Sequence, residues 1–229
     1  IVANDWYDAE QKKNVYCAAD KDSPVLASPR TKHLPEPRSP KSLAVSNFAD
    51  ELVLAKKGRA FTVSFKDRSA IMLAGHAGTA YWFDKTNGGF ISSGYYMTHY
   101  PDWVNAFNSH FKPADIRWDS IKPQSEYLYK DSANLPGSFQ DYGTHFPFGL
   151  KSTHPLYYKY LSMTPIADEL TADFAIEMLR HEAIGKNQNH TDYLAVSFSG
   201  VDAIGHQFGP KSMASEDSLL RLDRSLAKL

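Results

Sequence analysis

The chain has 229 residues, 42% hydrophobic and 22% charged, and 25 basic against 26 acidic side chains leave a formal net charge of −1. Without a basic excess the balance argues against nucleic acid or an anionic membrane as partner, and any anionic ligand must be met by a few placed cations. No apolar run reaches the roughly 18 residues that span a bilayer, and the one cysteine, Cys17, has neither an intrachain disulfide partner nor a CxxC companion.

In chain order, the opening "IVANDWYDAEQ" lacks the basic-then-apolar layout of a signal peptide, and "SLLRLDRSLAKL" stops inside a helical pattern. Both ends predict a piece of a longer protein, with a processed or tailless small protein as the alternative. Residues 1–41 read as irregular, with five prolines in the eighteen residues of "SPVLASPRTKHLPEPRSP", an extended surface segment. "SLAVSNFADELVLAK" predicts an amphipathic helix over 42–56, stopped by Gly58, and "RAFTVSF" a strand over 59–65. "TAYWFD" (79–84) and "FISSGYY" (90–96) predict a hairpin turned at Asn87-Gly88. "YPDWVNAFNSHF" (100–111) predicts a short helix from Pro101, and 112–163 has weak periodicity.

Regularity returns with a helix over 164–185, with Thr164 as N-cap, Pro165 in the first turn, Asp168 and Glu169 at the positive end and Gly185 as stop. A buried strand follows over 192–198. Next comes a loop, "SGVDAIGHQFGP" (199–210), then a helix with Leu219, Leu222, Leu226 and Leu229 on one face. The pattern predicts an α/β core with a mostly parallel sheet. Three segments are expected: 1–75 associated with the core, 76–163 as an aromatic-rich cap inserted over a site, and 164–229 as core carrying the loop.

Two constellations carry possible chemistry. Asp202 and His206 offer a carboxylate oxygen and an imidazole nitrogen on a loop with Gly200, Gly205 and Gly209, which would let both reach a zinc ion. A turn-capping Asp beside an exposed loop His remains an open alternative, and two ligands fall short of the three or four zinc takes. In "SFKDRSA", Lys66 and Arg68 would share one face of a continuing strand while Asp67 points away, a point charge and a planar fork suited to a phosphoryl group. A solvated strand end balanced by Asp67 is the alternative. "HEAIG" lacks the second His of HExxH, "SFSGVD" is not a nucleophile elbow, and no Gly-rich phosphate loop occurs.

The segment "VDAIGHQFGPKSM" fits the D-x-x-G-H-x-x-G-P-x-S pattern through Asp202, Gly205, His206, Gly209, Pro210 and Ser212. It resembles the branch of the alkaline phosphatase superfamily that holds type I phosphodiesterases and nucleotide pyrophosphatases. "IVANDWYD", "RSPKSLAVSNFADEL" and "VSFKDRSAIMLAGHAGTAYWFDKTNGGFISSGYY" resemble more narrowly the PafA-like alkaline phosphatases. The resemblance implies an alkaline-phosphatase-like α/β fold and a two-zinc enzyme that hydrolyses small phosphate monoesters through a covalent phospho-enzyme. It implies Asp202 and His206 as ligands of one zinc, Lys66 and Arg68 as contacts of the transferred phosphoryl oxygens, and Asn4 as a further amide donor to one of them. Asn4 as a plain turn residue beside Asp5 stays open.

On the same resemblance the nucleophile and the remaining metal ligands fall outside these residues, so the isolated chain is expected to be catalytically silent with an incomplete zinc site. A periplasmic or secreted location is implied as well. Two other readings stay open: a phosphodiesterase or nucleotide pyrophosphatase of the same superfamily, and a non-catalytic binding or structural domain. Oligomeric state has no sequence signal.

Overall fold

The computed structural model describes residues 3–132, 143 and 145–229; Ile1 and Val2, and residues 133–142 and 144 of the expected cap, lie outside the described residues. In chain order the elements are β1 (Asp5–Asp8), β2 (Lys13–Tyr16), α1 (Phe48–Leu54), β3 (Ala60–Ser64), α2 (Asp67–Ala74), β4 (Thr79–Phe83), β5 (Phe90–Ile91) and α3 (Asp102–His110). There follow β6 (Ile116–Trp118), β7 (Phe148–Leu150), α4 (Tyr157–Leu161), α5 (Ile166–His181), β8 (Tyr193–Ser197), α6 (Gly200–Phe208) and α7 (Met213–Leu226). Among the described residues no helix is long and apolar enough to cross a membrane.

The chain divides into two compact units, Ile1–His110 with Phe174–Ser197, and Phe111–Asp173 with Phe198–Leu229. The first holds a four-stranded sheet in the order β5-β4-β3-β8. β3 runs parallel to both neighbours, with Val63 opposite Tyr81 on one side and Val196 on the other. β3 is buried along its whole length, as a central parallel strand must be. β8 lies at the edge of this sheet and its five residues are only half-buried, which corrects the expectation of a buried strand. Phe65, Tyr81, Phe90 and Phe174 are fully buried, with Phe65 stacked on Phe83 and Phe90 on Phe174 at centroid distances of 4.0 and 4.2 Å.

The hairpin of β4 and β5 forms with Trp82 opposite Ile91, but not through a two-residue Asn-Gly turn. Gly88 and Gly89 take the positive φ, while Asn87 works through its side chain. Its amide donates to the His33 carbonyl and the Asp84 carboxylate, and its oxygen accepts from the Lys32 amide. These strands, inside the 76–163 stretch, belong to the central sheet.

Residues 1–41 are more ordered than their prolines suggest. β1 and β2 pair antiparallel, Trp6 opposite Val15, and bridges tie Ala19 to Arg38 and Val25 to Ser93. The predicted helix over 42–56 shortens to α1, started by the Asn47–Asp50 capping box. It stops before Gly58, at Ala55 and a left-handed Lys56. Gly58 is required for another reason: a Cβ there would meet the Thr191 carbonyl.

The second unit holds the β6–β7 pair and the α6–α7 pair. Trp118 and Phe148 pack on Phe208 with centroids 5.8 and 5.0 Å away. The buried Asp217 accepts from the Trp118 indole and the Tyr127 hydroxyl. α7 buries Met213, Asp217 and Ser225 and leaves Leu219 and Leu226 about half-exposed, so the predicted leucine face is not the face this chain covers. α5 contributes residues to both units. Thr164 does not cap it, since its hydroxyl donates backwards to the Leu161 carbonyl.

Candidate functional site

Lys66 and Arg68 reach their positions through a turn rather than a strand face. β3 ends at Ser64, and α2 begins at Asp67 with Lys66 as its extended N-cap residue (φ −103°, ψ 126°). The Ser64 hydroxyl accepts the Lys66 amide at 3.1 Å, and Thr62 Oγ1 donates to the Ala70 carbonyl at 2.7 Å, locking strand to helix. The expectation of strand alternation through Arg68 is therefore corrected, because the backbone turns helical at Asp67. What replaces it still gathers the cations. Lys66 and Arg68, with Arg38 and Lys85, line a cavity of about 240 Å³ beside Phe65 and Phe83, at the carboxyl end of β3, where open α/β sheets place ligands.

Of the three carboxylates in that wall, Asp84 and Asp67 are engaged and Glu36 is exposed. Asp84 accepts the Thr86 and Asn87 amides. Asp67 accepts Tyr16 Oη at 2.6 Å and Arg38 Nε at 2.7 Å. Burial works against the Arg68 charge, but its hydrogen bond and proximity to Tyr16, with Asp67 and Cys17 nearby, hold its pKa above the ordinary guanidinium value. Arg68 therefore stays cationic throughout the physiological pH range. Asn4 is exposed just ahead of β1, its carbonyl accepting the Cys17 amide at 2.8 Å.

Asp202 and His206 do not sit on a loop. They lie four residues apart on α6 and so on one helix face, with His206 Nε2 3.5 Å from Asp202 Oδ1 and side chains 81% and 48% exposed. The expected bending role of the glycines is corrected with it. Gly205 has an ordinary φ and no close neighbour. Gly209 ends the helix at φ 84°, and its carbonyl accepts both the Ser212 and Ser215 hydroxyls. Gly200 is needed because a Cβ would fall 2.7 Å from Asp168 Oδ2. The buried Asp168 carboxylate accepts the Gly200 and Val201 amides at 2.7 and 2.9 Å, so it caps α6 from a distant helix.

The 3.5 Å separation falls within the roughly 3.3–3.6 Å between adjacent donors of a tetrahedral zinc with bonds of about 2.0–2.2 Å, and it is equally that of an i,i+4 ion pair. Among the described residues no group of three or more His, Cys, Asp or Glu gathers around a metal position, so the pair is at most part of a site. As an exposed ion pair it would add little to stability. Lys66 and Arg68 belong to the first compact unit, Asp202 and His206 to the second. Sequence reasoning passed over Arg38, Tyr16 and Asp168. Arg38 sits among prolines and Tyr16 in a short polar strand, while Asp168 was credited to the start of its own helix.

Comparison with known proteins covers the whole chain. The family described as type I phosphodiesterase / nucleotide pyrophosphatase matches residues 1–229. Alkaline phosphatase PhoV of Synechococcus elongatus is 37% identical over 235 residues, covering 99% of this chain and 42% of PhoV. Alkaline phosphatase PafA of Elizabethkingia meningoseptica is 35% identical over 237 residues, covering 99% and 43%. The crystal structure of wild-type PafA superposes with a TM-score of 0.83 at 33% identity, over 98% of this chain and 45% of that one. The chain thus spans less than half the length of the relatives it matches.

Proposed function

The chain belongs to the type I phosphodiesterase / nucleotide pyrophosphatase family, within which it is PafA-like, and from that membership we propose that the complete protein is a metal-dependent phosphatase acting on small phosphate monoesters. The observation that carries the proposal is the shared cavity of Lys66 and Arg68 at the end of β3. A monoester presents a dianionic phosphoryl group with one more charged oxygen than a diester, and an ammonium beside a guanidinium fork is suited to that extra charge. In this reading Lys66 and Arg68 receive the non-bridging oxygens, Asn4 donates its amide to one of them, and Asp202 and His206 hold one zinc ion. Bound there, paired zinc ions would polarise the phosphoryl oxygens and stabilise attacking and leaving groups. A covalent phospho-enzyme belongs to the proposal, with no nucleophile assigned among these residues; so does a periplasmic or secreted location.

A second reading, diester or pyrophosphate cleavage, is favoured by the breadth of the matching family. Turnover of p-nitrophenyl phosphate and of bis(p-nitrophenyl) phosphate by the complete protein separates the two. We expect the monoester kcat/KM to dominate, and the 229-residue chain alone to turn over neither. Dominant diester cleavage would select the second reading. Cleavage of neither by the complete protein would favour a non-catalytic domain.

A further inference from the structure

The carboxylate between the two clamp cations is the feature the proposed reaction leaves unexplained. Asp67 directly separates Lys66 from Arg68, and a carboxylate free to swing would pair with either and weaken the field that a dianion requires. It is not free. Its Oδ1 accepts the Tyr16 hydroxyl at 2.6 Å and the Arg68 amide at 2.8 Å, and its Oδ2 accepts Arg38 Nε at 2.7 Å.

Arg38 is held in turn. Its Nη1 donates to the Pro37 carbonyl, its amide to the Ser23 carbonyl, and its Cζ lies 4.9 Å above the Tyr16 ring. Asp67 and Arg38 are only 22% and 20% exposed, so their charges meet with limited screening by water. Tyr16 is anchored on β2 by pairing with Asp5.

We propose that Tyr16, Asp67 and Arg38 form a positioning network for the phosphoryl clamp, in which Arg38 neutralises Asp67 so that Lys66 and Arg68 present their charge to the substrate dianion. The inference rests on the monoesterase reading. It gives the Pro-rich segment a task, delivering one arginine to Asp67, and gives the β1–β2 hairpin another, delivering one phenol. Burial, reinforced by Asp67, raises the Tyr16 pKa well above the ordinary phenol value, so its hydroxyl remains a donor across the working pH range.

The test is a charge-rescue cycle in the complete protein, read as kcat/KM on p-nitrophenyl phosphate and on its bis-ester. Arg38→Ala leaves Asp67 uncompensated and is expected to lower monoester turnover about 10-fold with diester turnover within about 2-fold. Adding Asp67→Asn removes the stray carboxylate and should restore monoester turnover to within about 3-fold of wild type. Tyr16→Phe keeps the ring and loses one hydrogen bond, with an expected monoester loss of about 3–5-fold. If Arg38→Ala does not fold, this milder variant carries the test. Equal losses on both substrates, or a double variant no better than the single, would overturn the network. Arg68→Ala keeps the two ideas apart: a monoester-selective loss there without one at Arg38 rejects the network alone, whereas no selectivity at Arg68 rejects the clamp itself.

Discussion

Arg68 combines a charge that its surroundings reinforce with a place in a cavity walled by further cations. If it contacts the phosphoryl group, Arg68→Ala should cost monoester turnover about 100-fold and diester turnover less than about 10-fold, because a charge-assisted contact is worth about 2–3 kcal/mol. Steady-state kinetics on both esters checks this. Asp20 tests the folded state at the same scale. It is buried and accepts the Ser23 and Ser39 hydroxyls at 2.7 Å each, with Lys41 Nζ at 3.2 Å. Burial alone would raise its pKa, but the two hydroxyls, the Asp22 amide and Lys41 outweigh it and hold it at about 2. A folded value below the unfolded one of about 3.9 means that the stabilisation is complete above roughly pH 4 and lost as pH falls through 2. Urea unfolding at pH 5 and pH 2 should show Asp20→Asn lacking about 2 kcal/mol of the wild-type decline.

At the scale of elements, α6 carries Asp202 and His206, yet its own N-cap residue, Ser199, makes no side-chain capping bond. The cap comes from Asp168 on α5. Asp168→Ala should destabilise the fold by about 1–2 kcal/mol, the cost of losing a capping carboxylate, as measured by chemical unfolding. His206→Ala should lower the zinc content of the complete protein by one ion per chain in elemental analysis, since a site with so few ligands does not survive losing one.

These elements also mark what was legible. The central strand β3 was readable from alternating β-branched and aromatic residues, its parallel neighbour β8 from a compact apolar run, and α7 from helical spacing. The β1–β2 hairpin was not, because "DWYD" and "KNVY" lack an apolar alternation and are stabilised by pairing with each other. "SGVDAIGHQFGP" looked like a loop because three glycines suggested bending. Only Gly200 and Gly209 have a conformational or steric reason, and both lie at the helix ends.

For the molecule as a whole, the two pairs of candidate residues were found by residue type and spacing, while the groups that hold them were not. Asp67 and Arg38 stand 29 residues apart and Asp168 and Gly200 stand 32 apart, beyond the reach of any local pattern. The central proposal is that Lys66 and Arg68 at the start of α2, and Asp202 and His206 on α6, serve one phosphoryl group. A crystal structure of the complete protein with zinc and orthovanadate tests it most directly. The account predicts one vanadate with oxygens in hydrogen-bond contact with Lys66 and Arg68 and within about 4 Å of a zinc ion held by Asp202 and His206. A vanadate bound without both cations, or a zinc at Asp202 and His206 more than about 10 Å from Lys66 and Arg68, would contradict it.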